Sequence, residues 1–239
     1  MSTTHSPQTS LRETLAAYFL SVPPYREQTP AEQDAFRERL CQLGELEQQE
    51  ILQSAGHHRP MHWGNPVPLI QNLLTASQRL AAGLGQPLLL FPAKEVTFTF
   101  SALFHPRLRS IGVCTLLRIA CEAAPREPVW VRLQEQESCL TVSVTAAAPP
   151  APSHSFAVIQ ECAGLHKGSP AQCGNTYGFS IARAAQPPEQ TQRYVCPTAD
   201  ELYRDTLSPV WTAFYCRLSR TESSNSNPLD GEAESTDEA

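Results

Sequence analysis

The apolar residues of this chain repeat with a helical period as far as about residue 55 and then with alternating helix and strand periods. This change of period predicts an N-terminal region of helices, followed by a domain that contains both helices and strands. In the mixed part, the pattern predicts helices over residues 68–83, 106–123 and 155–166, and strands over residues 88–91, 96–100, 129–133, 140–144 and 176–182. Elements in this order form a mixed sheet with helices on one face. We therefore expect an α+β protein in which an N-terminal helical hairpin precedes a two-layer α/β sandwich.

Two capping boxes mark the starts of the predicted N-terminal helices. Ser10 stands three residues before Glu13, and Thr29 stands three residues before Glu32 with a proline between them. In this motif the hydroxyl and the carboxylate each accept a backbone N–H that the helix start leaves open. The two helices should form an antiparallel hairpin over residues 1–58. Its apolar stripes need a cover, which either a dimeric four-helix bundle or the second domain could provide.

The C-terminal part of the chain divides into an apolar extension and an acidic tail. Residues 185–220 predict a short helix ending near Leu207 and then a last strand at residues 210–215. Residues 221–239 hold six of the 24 acidic residues and no Lys or Arg, so the other 18 acids match the 18 bases. Such a tail is expected to be disordered. The neutral body lacks the basic face that general nucleic-acid binding requires.

Composition also bounds location and metal binding. No apolar run approaches the roughly 20 residues of a membrane helix, and residues 1–5 lack the features of a secretory signal, so we expect a cytoplasmic protein. The eight cysteines form no C-x-x-C pair, which favours reduced thiols. His57, His58 and His62 lie in a proline-rich connector without a nearby carboxylate or cysteine, and we expect no metal there.

Four stretches of the second domain resemble the ATP-binding domain of histidine kinases. Residues 105–108 (H-P-R-L) resemble its D-P-x-L, and residues 116–120 (L-L-R-I-A) resemble the end of its N-L-L-x-N-A. Residues 157–168 resemble its helix ending in H-G-G, and residues 174–181 resemble its closing G-T-x-F-x-F strand. Over residues 66–184, the resemblance implies the ATPase fold shared with Hsp90. An unrelated α+β domain with a coincident pattern is the alternative.

The same alignment implies that the nucleotide-binding groups are missing. The two asparagines of the family fall on Thr115 and Ile119, the adenine-binding aspartate falls on Ala146, and two glycines fall on Ala148 and Pro150. Ile119 offers no oxygen to magnesium, and Pro150 removes a backbone donor. We therefore expect no bound cofactor and no kinase activity.

The hairpin resembles the dimerisation and phosphoacceptor domain of the same family, with Thr9 in the place of the phosphorylated histidine. The resemblance implies a homodimer that binds a histidine kinase or a response regulator without catalysis. Two alternatives stay open. One is a histidine phosphotransferase that uses His5, His57 or His58, and the other is an ATPase that survives the substitutions.

Overall fold

The computed structural model describes residues 7–23, 25–53, 60–91, 100–150, 154–184, 194–216 and 218. Its N-terminal hairpin consists of α1 (Pro7–Ser21) and α2 (Pro30–Gln53), with a 3-10 turn at Tyr25–Glu27 between them. No helix within these ranges is both long enough and apolar enough to cross a membrane.

The two predicted helix starts have different outcomes. The capping box at Thr29 is confirmed, since the Glu32 carboxylate accepts from the Thr29 amide at 2.7 Å and the Glu32 amide donates to Thr29 Oγ1 at 3.4 Å. The predicted start at Ser10 is wrong, because α1 already begins at Pro7. Proline is favoured in the first turn of a helix, where its missing N–H has no partner to lose.

The second domain is a five-stranded sheet with helices on one face, as predicted. Its strand order is β2-β4-β5-β7-β6, in which β2 is parallel to β4 and the other pairs are antiparallel. Three helices cover one face: α3 (Val67–Gly83), α4 (Pro106–Ala123) and α5 (His154–Leu165). The strands are β2 (Leu88–Phe91), β4 (Val129–Glu135), β5 (Cys139–Thr145), β6 (Pro170–Cys173) and β7 (Thr176–Ala182).

The sequence did not predict β6 or the separate ribbon of β1 (His62–Gly64) and β3 (Ala102–Phe104). Neither β6 nor β1 alternates apolar and polar residues in a way that identifies a strand. The strand predicted over residues 96–100 lies outside the described residues except for Phe100.

Helix α4 is the centre of the core. Every residue from Leu108 to Cys121 is buried. The helix lies on β4 and β5 and is flanked by α3, α5 and a C-terminal helix. Polar side chains of α4 are therefore shielded from water, and any that lacks a partner inside the protein costs stability.

The prediction for the last element of the chain is wrong. Residues 210–215, predicted as a strand, form the helix α7 (Val210–Tyr215) with π-helical hydrogen bonding. A short apolar run is compatible with a buried strand or a buried helix, and here tertiary packing decides, because α7 packs among α2, α3 and α4. Before it, α6 (Ala199–Arg204) begins at a capping box of Thr198 and Glu201 and ends earlier than the predicted Leu207.

The hairpin packs on the second domain through α2, which contacts α5 and α7. Glu47 of α2 is buried and forms an ion pair with Arg107 at the start of α4. Its other carboxylate oxygen accepts from Thr212 Oγ1 of α7 at 3.0 Å. One carboxylate thus joins the hairpin, the sandwich and the C-terminal extension. Of the two covers that the sequence allowed for the hairpin, packing against the second domain is observed.

Candidate functional site

The positions aligned with the nucleotide-binding asparagines lie on one face of α4. Thr115, Arg118 and Ile119 are separated by three and four residues and therefore lie side by side on the helix. All three are buried. The Thr115 hydroxyl has no hydrogen-bond partner in the described part of the chain.

Ala146, Ala148 and Pro150 follow β5, the strand that packs beneath α4. Ala146 is buried, and its N–H donates to the carbonyl of Asn175 at 3.2 Å. Thr145 and Thr176, on the neighbouring strands, share a hydrogen bond of 2.8 Å between their hydroxyls. The end of β5 is thus hydrogen-bonded to the loop before β7.

Arg118 is the residue of this site that the sequence did not single out. Its side chain has no exposed surface, Nη2 donates to Ser155 Oγ in the first turn of α5, and Nε lies 3.5 Å from a Glu122 carboxylate oxygen. The sequence signal for Arg118 is a charged side chain within the otherwise apolar run 116–120. The partner of that side chain could not be predicted from the sequence, because it depends on where α5 begins.

A magnesium nucleotide does not fit these side chains. Magnesium requires an octahedral shell of oxygen ligands, and Ile119 provides none. Ala146 cannot accept a hydrogen bond through its side chain from an adenine amino group. Arg118 adds a positive charge to a face that would have to hold a second cation. The arrangement favours a closed contact between α4 and α5.

The stretches aligned with D-P-x-L and H-G-G meet at the other end of the same helices. His105 caps α4, with Nδ1 accepting from the Leu108 amide at 3.3 Å. The His105 amide donates to His166 Nε2 at 3.2 Å, while His166 Nδ1 donates to the Cys162 carbonyl. Burial lowers the pKa of His166 to about 3, and the nearby Arg109 adds to the shift. His166 is therefore neutral. Its Nδ1 bonds within α5, and its Nε2 joins the end of α5 to the start of α4.

Arg109 lies beside this pair and is enclosed by the protein. Its guanidinium stacks 4.8 Å from the centre of the Phe104 ring, and none of its three side-chain nitrogens has a hydrogen-bond partner in the residues described. Burial lowers its pKa to about 9. A buried cation with so few compensating contacts destabilises the folded state.

Of the positions considered for phosphoacceptance, the structure describes Thr9. Thr9 lies within α1, while His5, His57 and His58 lie outside the described residues. His62 lies in β1, with its ring 5.6 Å from that of Tyr194. Over the described ranges, no group of three His, Cys, Asp or Glu side chains could hold a metal ion.

Solved structures provide the comparison for this arrangement. The histidine kinase AdeS of Acinetobacter baumannii is 13% identical, and the match covers 76% of this chain and 96% of that chain with a TM-score of 0.50. Full-length ShkA in complex with AMPPNP is also 13% identical, and the match covers 76% of this chain and 45% of that chain with a TM-score of 0.51.

No family model and no curated protein matches the sequence. At 13% sequence identity, the structural similarity shows a shared fold and does not extend to activity. The resemblance first drawn from residues 105–181 is confirmed at that level: the chain has a histidine-kinase-like fold, with a sandwich of the histidine-kinase ATPase type.

Proposed function

We propose that this chain is a non-catalytic, histidine-kinase-like signalling or scaffold protein that acts by protein binding in a bacterial two-component-type pathway. The observation that carries the proposal is the face of α4 with Thr115, Arg118 and Ile119. It is buried, and its guanidinium is hydrogen-bonded to Ser155 of α5.

The chemistry of phosphoryl transfer supports the loss of activity. Bound metal ions offset the charge that develops on the transferred phosphoryl group. With Ile119 and Ala146 in the aligned positions, the chain lacks a magnesium ligand and an adenine acceptor there. Opening the site would also break the bond from Arg118 to Ser155, which is unfavourable for a buried cation.

The tie between hairpin and sandwich supports a scaffold role. Glu47 is only 4% exposed and bonds to α4 and α7 together. Breaking such a buried ion pair leaves a charge without its partner, which is unfavourable. The hairpin and the sandwich are therefore expected to stay in one fixed arrangement and to present one fixed surface. A fixed surface suits a protein that recognises a partner by shape.

The partner proposed is a histidine kinase or a response regulator, with homodimerisation through the hairpin. Leu20 on the outer side of α1 is 84% exposed, and Leu11 is 42% exposed. In the described structure α1 packs mainly against α2. A second copy or a partner helix would remove this apolar surface from water, at about 25 cal/mol for each Å².

Two labelling experiments test the proposal. The intact chain is incubated with radiolabelled ATP and magnesium, and separately with a receiver domain that carries labelled phosphate. The proposal expects no label on the chain in either case, together with co-purification of a histidine kinase or a receiver domain on the tagged protein. Label from ATP would contradict the loss of catalysis. Label moving from the receiver domain to His5 or His57 would instead identify a phosphotransferase.

A further inference from the structure

The sheet ends in an open edge at β6. All four residues of this strand are exposed, and among the described strands β6 has a neighbour on one side only. Edge strands offer unpaired backbone groups to other chains.

The register shows which backbone groups of β6 point outward. Ser180 donates its amide to the Ser169 carbonyl at 2.9 Å, so Ser169 and Ser180 are a hydrogen-bonded pair. Such pairs alternate with non-hydrogen-bonded pairs along an antiparallel ladder. Ala171 therefore bonds inward to β7, while the N–H and C=O of Gln172 and the C=O of Pro170 point away from the sheet.

A cavity of about 140 Å³ lies beside this edge, between β6 and α5. Leu116, Ile159 and Tyr177, which are buried, line it together with Phe156. Gln160 of α5 and Gln172 of β6, which are both exposed, also line it. Gln172 and its cross-strand partner Tyr177 lie on the same side of the sheet, because directly paired residues share a face.

We propose that β6 binds an extended peptide segment of a partner protein as a sixth strand, with one aliphatic side chain of that segment in the cavity beside α5. In a strand, alternate side chains point to the same face, so a peptide paired with Gln172 places every second side chain over the groove between β6 and α5. A dry cavity of about 150 Å³ accommodates a benzene molecule, and a Val, Leu or Ile side chain is of similar or smaller size.

A peptide fits both features of this site at once. The backbone of an added strand supplies one acceptor for the Gln172 N–H and donors for the carbonyls of Gln172 and Pro170, and its side chain supplies the apolar group that the cavity needs. A small molecule would use the cavity alone. Pro170 has no N–H, which limits the pairing to a short register centred on Gln172. This inference does not rest on the proposed function, and it stands whether or not nucleotide binding is lost.

The test uses the intact chain and a phage-displayed library of random heptapeptides. Selected peptides are synthesised, and each backbone nitrogen is methylated in turn, which removes one donor at a time. The proposal expects binding to fall at least tenfold at alternate positions only, and to require one aliphatic residue. A helical spacing of sensitive positions, uniform tolerance of methylation, or the absence of any selected peptide would overturn it.

Variants of β6 provide the second arm. Gln172→Pro removes the outward N–H and should bind at least tenfold more weakly than Gln172→Val, a matched variant that loses the same side chain and its bond to Tyr177 Oη at 3.4 Å but keeps that N–H. Pro170→Val adds an outward N–H and should strengthen binding severalfold. Equal affinity for Gln172→Pro and Gln172→Val would overturn the proposal. A dimer of the parent chain that dissociates in Gln172→Pro would also overturn it, because a second copy would then cover the edge.

Discussion

Gly44 of α2 and Thr212 of α7 approach so closely that a Cβ atom on Gly44 would overlap the Thr212 carbonyl oxygen. The contact is between two backbones, so neither side can move aside as a flexible side chain would. Glu47 lies one turn further along α2 and accepts from the Thr212 hydroxyl. The hairpin is therefore fitted to the C-terminal extension at backbone distance.

Gly44→Ala should destabilise the protein despite the better helix propensity of alanine. Overpacking of a tight contact costs about 1–3 kcal/mol, which in a chain of this size lowers the melting temperature by roughly 2–12 °C. Thermal unfolding followed by circular dichroism measures it. Gly83→Ala is the control, because a Cβ at Gly83 of α3 meets no atom within 4 Å. Equal melting temperatures for both variants would show that α2 and α7 do not touch at Gly44.

Replacement of Glu47 tests the tie between the hairpin and the sandwich. Glu47→Ala leaves Arg107, which is 38% exposed, without its carboxylate, and removes the acceptor of Thr212. We expect a loss of about 1–3 kcal/mol in the free energy of unfolding, measured with urea. The control is Glu50→Ala, which removes an exposed pair with Arg12 and should cost at most about 1 kcal/mol. The tie would be disproved by equal losses in the two variants.

Arg109→Met should leave the protein as stable as the parent or more stable, which is unusual for a buried position. The guanidinium has no hydrogen-bond partner among the described residues, and an unsatisfied buried group costs about 1–3 kcal/mol, or more if charged. Part of the gain is offset by the lost stacking on Phe104. Arg118→Met is the comparison, since it removes the bond to Ser155 and should destabilise. A loss above about 1 kcal/mol in Arg109→Met would mean that Arg109 has a partner in the folded protein.

The neutral state of His166 predicts a pH dependence. The pKa of this histidine is about 3 in the folded protein and 6.5 when unperturbed, so between these values the unfolded chain binds the extra proton. Stability is therefore fully present above about pH 6.5 and is lost as the pH falls towards 3. At pH 5 the loss from this group is about 2 kcal/mol.

The measurement compares urea unfolding at pH 8 and pH 5 in the parent and in His166→Gln. Glutamine cannot titrate, so the variant should be less stable at pH 8 but should lose less between the two values. The same pH-dependent loss in both proteins would assign the effect to other groups.

The sequence predicts secondary structure correctly where the local residue pattern and the tertiary packing favour the same element. The alternation in β4 and β5 identified a hairpin, and the capping box at Thr29 identified the start of α2. The strand predicted over residues 210–215 is wrong because this short, mostly apolar run carries no clear period. The geometry that makes them a helix comes from α2, α3 and α4, which local sequence does not contain.

The position of the candidate site is a prediction from the family pattern, whereas its contacts come from the structure alone. The spacing of Thr115, Ile119 and Ala146 followed from the family pattern. The bond from Arg118 to Ser155 did not, since it joins residues 37 positions apart whose distance depends on the start of α5. The open edge at β6 was also hidden, because its residues are exposed on both faces and show no alternation.

The most direct test of the central claim is the melting temperature of the intact chain in the presence of magnesium and an ATP analogue. A ligand at 100 times its dissociation constant adds about 2.7 kcal/mol of stability, which a melting curve detects easily. Because the proposal places Ile119 and Ala146 where the family holds the nucleotide, and because Arg118 is bonded to Ser155, we predict an unchanged melting temperature at millimolar analogue. A rise that increases with analogue concentration and requires magnesium would contradict the account.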